Sequence, residues 1–109
     1  MIDRNMESQD DRGLSRYGEP ATLVLLALMS GPKHGYALMQ SIEEEMDFKI
    51  GPGTLYGAIA KLLKMGMIRG LESQERAKPY EITDQGRRVI EEYVRRWSPI
   101  IKLGQARLA

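Results

Sequence analysis

Apolar positions recur along this chain with two different periods, and the changes of period mark its elements. Pro20 to Met29 is apolar almost all round, the pattern of a helix buried on most sides. Leu38, Met39, Ile42 and Met46 give a second helix an inner stripe, while Gln40, Glu43 and Glu44 face water. Leu55, Ile59, Leu62 and Leu63 fall at i, i+4, i+7 and i+8, one face of a third, short helix. Its opposite face carries Thr54, Gly57, Ala60, Lys61 and Lys64, with Tyr56 on the flank. The helical period then gives way to rough alternation over Met67–Glu72 and cleaner alternation over Pro79–Thr83, which predicts two strands joined by a polar loop. Beyond them Ile90, Val94, Trp97, Ile101, Gly104 and Leu108 return to spacings of four and three, widened by Tyr93 and Ile100. That is the seam of a long final helix.

Turn-forming residues sit where these elements should stop. Ser30-Gly31-Pro32 ends the first helix, because Gly suits a helix C-terminus and Pro cannot continue one. Gly51-Pro52-Gly53 opens the third, with Pro52 suited to a first turn by its fixed φ and missing N–H. Thr83 is placed to cap the last helix, with Asp84 in its first turn. Pro99 conflicts with that helix: in an interior it removes a hydrogen bond and its ring clashes, at a cost of about 3 kcal/mol. A kink or break is expected between Trp97 and Pro99.

The chain has 109 residues, enough for one domain with a modest core. Residues 1–18 lack apolar periodicity and are expected to form a mobile arm, followed by a compact domain over 19–84 and the terminal helix over 85–109. There is no cysteine and one histidine, His34, so disulfides, thiolate metal sites and a His-based catalytic pair are excluded. No metal, cofactor or catalytic residues are expected, and the chain reads as no enzyme. No signal sequence is visible, and the apolar run Leu23–Met29 is far too short to span a bilayer, so a cytoplasmic chain without membrane partners is expected. Net charge is only +1, but it is unevenly spread. Residues 1–19 carry a net −2, while residues 49–88 hold eight bases against four acids. The basic excess lies on and just after the third helix, a weak footprint for a polyanion.

Helix, helix, helix, strand, strand, long helix is the order of a winged helix-turn-helix: a mainly α (α+β) fold with a two-stranded β-hairpin wing and a long C-terminal dimerisation helix. In such a fold the third helix enters the major groove of double-stranded DNA. Gly57 and Ala60 let its axis sit deep, and Tyr56 is able to donate to a phosphate or pack on a thymine methyl. Lys61 and Lys64, with Arg76 and Lys78 near the hairpin tip, neutralise phosphates. The helix has no Arg, Asn or Gln, the side chains that read purines bidentately. Modest base specificity is therefore expected, resting on Thr54, Lys61 and DNA shape. The apolar seam of Ile90, Val94, Trp97, Ile101 and Leu108 is expected to pair two copies into a homodimer. Packing of that seam onto its own subunit is the alternative.

Three segments carry a family resemblance: Gly31-Pro32-Lys33-His34-Gly35-Tyr36, then Gly51-Pro52-Gly53-Thr54-Leu55-Tyr56, then Pro79-Tyr80-Glu81-Ile82-Thr83-Asp84-Gln85-Gly86-Arg87. Together, over about residues 20–97, they resemble the PadR family, the phenolic-acid-responsive transcriptional repressors of bacteria and their relatives. The resemblance implies a homodimeric winged-helix repressor, with Tyr36, Thr54 and Tyr56 at the DNA surface and a structural role for His34 in the turn. Some short-tailed relatives bind flat aromatic molecules between subunits. By that likeness, a facing pair of Trp97 rings would sandwich a small aromatic effector; the alternative is that Trp97 only fills the dimer core. The chain departs from the pattern at Gly57, where the family commonly has Pro, and at Ala77-Lys78-Pro79, where an aromatic and basic pair is common. Its single terminal helix suits either a short-tailed member or a truncated chain. A rival reading, a winged helix that binds protein instead of DNA, stays open because strong base readers are missing and net charge is near zero.

Overall fold

A computed structural model describes residues 19–74 and 76–109. The expected arm at residues 1–18 lies outside the described residues. Six elements follow in the expected order: α1 (Glu19–Leu28), α2 (Gly35–Met46), α3 (Pro52–Lys64), β1 (Ile68–Gly70), β2 (Tyr80–Ile82) and α4 (Asp84–Leu108).

The nearly all-apolar α1 is the hub. It packs against α2, α3, α4 and β2, and buries Ala21, Val24, Leu25, Ala27 and Leu28. Around it close Leu38 and Ile42 of α2, Leu55, Ala58, Ile59 and Leu62 of α3, and Ile68, Ile82 and Ile90 beyond. The inner face of α3 thus differs from the sequence expectation at one place. Leu63 is exposed and Ala58 takes an inner position, because the buried arc centres on Leu55 and Leu62, and Leu63 lies about 100° round from Leu62, past Ile59 at the arc's edge.

The strands are shorter than their alternating runs, three residues each, paired antiparallel with Ile68 opposite Ile82 and Gly70 opposite Tyr80. A contact that no sequence pattern announced extends this hairpin. Lys33 and Tyr80 exchange both backbone bonds, at 3.0 and 2.8 Å, so the turn between α1 and α2 lies along the free edge of β2. That commits the Lys33 backbone to the sheet, and α2 begins only at Gly35, with His34 as its N-cap.

The end of α3 and the start of α4 are fastened together. α3 closes in a Schellman arrangement: Met67 N–H bonds Leu62 O at 2.9 Å, Gly66 N–H bonds Leu63 O at 3.1 Å, and Gly66 takes φ +75°. Thr83 caps α4 as expected, its hydroxyl oxygen accepting from Gly86 N–H at 3.1 Å. The same hydroxyl donates to Gly66 O at 2.7 Å, and Thr83 N–H bonds Met67 O at 3.0 Å. Gly86 lies against the Met67 carbonyl with no room for a side chain.

Pro99 does not break α4, which runs uninterrupted to Leu108. Pro99 and Arg95, whose carbonyl loses its N–H partner, are both exposed, so water can satisfy that carbonyl where a buried helix would leave it unpaired. One residue earlier, Ser98 Oγ–H donates to Val94 O at 2.7 Å.

Candidate nucleic-acid interface

α3 turns its buried arc to the core and leaves Thr54, Gly57, Lys61 and Lys64 together on the outer side, all exposed. Nothing within 4 Å would meet a Cβ at Gly53 or Gly57, so the subunit's own packing asks for neither glycine. The first turn has no acidic side chain and no side-chain cap, and both cations lie in the last turns. A helix N-terminus in that condition offers positive potential and backbone N–H groups to an anion.

Tyr36 and Tyr56 both lie where α2 and α3 adjoin. Tyr36 is 66% exposed and lies within 3.4 Å of Gln40 Nε2 through its hydroxyl. Tyr56 is 50% exposed, and its phenol ring rests over the α-carbon of Gly35. The two motifs that carry these tyrosines are therefore in contact.

Arg76 and Lys78 are exposed on the loop between β1 and β2, on a different element from the α3 cations. Lys78 Nζ sits 3.6 Å from Glu72 Oε1, while Arg69 holds Glu81 at 2.6 Å across the hairpin. Exposed pairs of this kind are worth roughly 0–1 kcal/mol and are easily exchanged for a phosphate. Residues 68–82 hold three bases and three acids, so the hairpin is formally neutral and the basic character of this side falls to α3.

The terminal seam divides in two. Ile90 is wholly buried in the subunit's own core, which corrects its assignment to a partner-facing stripe: the first two turns of α4 pack on α1 and leave it no outer surface. From Val94 onward the seam is open. Val94, Trp97, Ile100, Ile101, Leu103 and Leu108 are all exposed, Trp97 by 39%, with its ring centroid 6.3 Å from that of the half-buried Tyr93.

Among the described residues no group of His, Asp and Glu could hold a metal, and no helix is long and apolar enough to cross a membrane. The model of the Transcriptional regulator PadR-like family matches residues 24–92, which take in α2, α3, the hairpin and the first turns of α4. The chain belongs to the PadR-like family. Its members are transcriptional regulators and not enzymes. A PadR family transcription regulator from Clostridium difficile has the same fold, with a TM-score of 0.74 over 83% of this chain and 98% of its own, at 23% identity. A transcriptional regulator from Clostridium thermocellum is 29% identical, with a TM-score of 0.69 over 79% of this chain and 89% of its own. An uncharacterized 37.1 kDa protein in transposon TN4556 of Streptomyces fradiae is 42% identical over 76 residues. Those residues are 70% of this chain and 22% of that protein, so the chain spans about a fifth of the curated relative it matches.

Proposed function

We propose that this PadR-like chain is a homodimeric repressor that lays α3 in the major groove of double-stranded DNA in the cytoplasm. The carrying observation is the outer side of α3, where Thr54, Gly57, Lys61 and Lys64 are exposed together beside an acid-free first turn. Tyr36 adds a hydroxyl from α2, and Arg76 and Lys78 add phosphate contacts from the wing. The open part of the α4 seam, Val94 to Leu108, pairs the two copies. Trp97, shielded on one side by Tyr93, gives that seam a flat surface on which a small aromatic effector stacks.

Selection of duplexes from a random pool, followed by anisotropy titration at several salt concentrations, tests this reading. A selected palindrome should bind far more tightly than random duplex, and its affinity should fall as salt rises. Lys61→Ala and Lys64→Ala should each weaken binding to every sequence and lower the salt slope by about one unit. No change of affinity or slope in either variant removes α3 from the interface. Saturable quenching of Trp97 fluorescence by planar aromatics tests the effector.

The neutral hairpin and the lack of Arg, Asn and Gln on α3 favour one rival, a winged helix that docks on protein. Absence of binding at low salt would select that rival.

Gly57 separates stability from binding. A helix-interior glycine costs up to about 1 kcal/mol relative to alanine, and here the added methyl meets open space. Gly57→Ala is therefore expected to raise the urea midpoint while weakening duplex binding, because the methyl stands between the helix axis and the groove floor.

A further inference from the structure

We infer that Tyr56 is a positioning residue, which sets α3 against α2 by seating its phenol on Gly35, and that it is not itself a reader of DNA. This role rests on the proposed DNA-binding function and specifies how the reading helix is held for it.

The geometry of the seat is specific. A Cβ built on Gly35 would lie 2.8 Å from Tyr56 Cζ and 3.0 Å from Cε1, and closer still to the hydroxyl oxygen. Real side-chain carbons do not approach that closely, so the phenol occupies the volume that any other residue at position 35 would fill. Gly35 is buried and takes no positive φ, so its missing side chain is explained by this close approach and not by backbone strain. It is also the first residue of α2, immediately after the His34 N-cap. A ring lodged there fixes the distance between the start of α2 and the second turn of α3.

The ring contact uses carbon atoms as well as the oxygen, so the seat does not depend on the hydroxyl. Tyr56 stands on the flank of α3 between the buried arc and the outer side that carries Gly57, Lys61 and Lys64. Tyr56 is half exposed, so a ring pushed off Gly35 can swing toward solvent. There it would project beside the small residues that let α3 approach a duplex. Gly35 thus keeps the ring parked, and the parked ring keeps the outer side of α3 low.

Four variants of the full chain test this, each titrated with the selected duplex and unfolded in urea. Tyr56→Phe should bind within about twofold of the unaltered chain, since the ring stays seated. Gly35→Ala should fold, because the exposed ring and not the backbone gives way, but should bind at least about tenfold more weakly. Tyr56→Ala should also lose about tenfold, with the salt slope unchanged because no phosphate charge contact is removed. In the Gly35→Ala background, adding Tyr56→Ala should cost no further affinity and leave the double variant at the level of Tyr56→Ala alone, a non-additivity that independent sites do not give.

A Tyr56→Phe protein that falls as far as Tyr56→Ala makes the hydroxyl a DNA contact and overturns the positioning role. Losses at positions 35 and 56 that simply multiply in the double variant overturn it as well. An unaltered chain that binds no duplex even at low salt overturns the DNA-binding function and the positioning role together. Normal binding with a failed cycle overturns the positioning role alone.

Discussion

A Trp97→Asp variant is expected to sediment as a monomer at concentrations where the unaltered chain forms the proposed homodimer. Trp97 stands at the middle of the open stretch of α4, with Val94 a turn before it and Ile101 a turn after, all exposed on the subunit. Covering the exposed part of an indole is worth about 2 kcal/mol at the usual yield per area. Two-fold symmetry counts that loss twice, so about 4 kcal/mol is removed, or roughly a thousandfold in the dissociation constant. Two carboxylates with no cation opposite them would also be desolvated, which widens the change. The subunit itself should fold normally, because Trp97 is absent from the buried core and α4 is anchored through Ile90 several residues earlier. Sedimentation velocity with circular dichroism as the folding control checks this. A folded variant that remains a dimer moves the interface off the Val94–Leu108 stretch.

Gly86→Ala should damage the subunit more than any surface change. The new methyl would run into the Met67 carbonyl oxygen and stand 3.0 Å from both Met67 C and Ile82 Cγ1. Two of the three obstacles are backbone atoms, and that backbone is held by the Met67–Leu62 and Thr83–Met67 hydrogen bonds. Neither side can yield cheaply, so overpacking of about 3 kcal/mol is expected. For a domain of this size that is a fall in Tm of more than about 10 °C, readable by thermal or urea unfolding. The contrast with Gly57→Ala is the informative part. The same chemical change at a helical glycine stabilises where the Cβ meets open space and destabilises where it meets a carbonyl.

The contrast between those two glycines also marks what the sequence can and cannot reveal. Local rules located the elements well: the all-round apolar run made α1 the hub, Pro52 opened α3, and Thr83 capped α4. Each of these depends on residues within one or two turns of one another. Contacts between segments distant along the chain left no such mark. Lys33 pairs with Tyr80 through backbone atoms alone, so no side-chain period could signal it. Gly35 and Tyr56 stood in separate motifs with nothing to link them, although each motif held half of the contact. Ile90 fitted the spacing of the seam but was drawn inward, because a helix that begins on a core and ends beyond it keeps one period through both environments. The break expected at Pro99 did not occur for a related reason. The lost hydrogen bond costs less in a helix whose freed carbonyl faces water. The exposed position of Lys61 and Lys64 was legible because a buried arc dictates what lies opposite it. The accessory hydroxyls were harder, since their directions depend on neighbours.

The joint between α3 and α4 has one more consequence. Thr83 and Gly86 clasp the turn that closes α3, so the two helices are joined as a single bent lever. In the proposed dimer the two levers cross at the seam, like the arms of a pair of calipers. The gap between the jaws is then a length stored in α4, not a property of the reading helices themselves. Sliding the seam by one heptad shifts each jaw along its arm by about 10 Å, roughly the rise of three base pairs. In that proposed dimer the hydrophobic register of the terminal helix would act as the ruler for the separation of half-sites on the DNA.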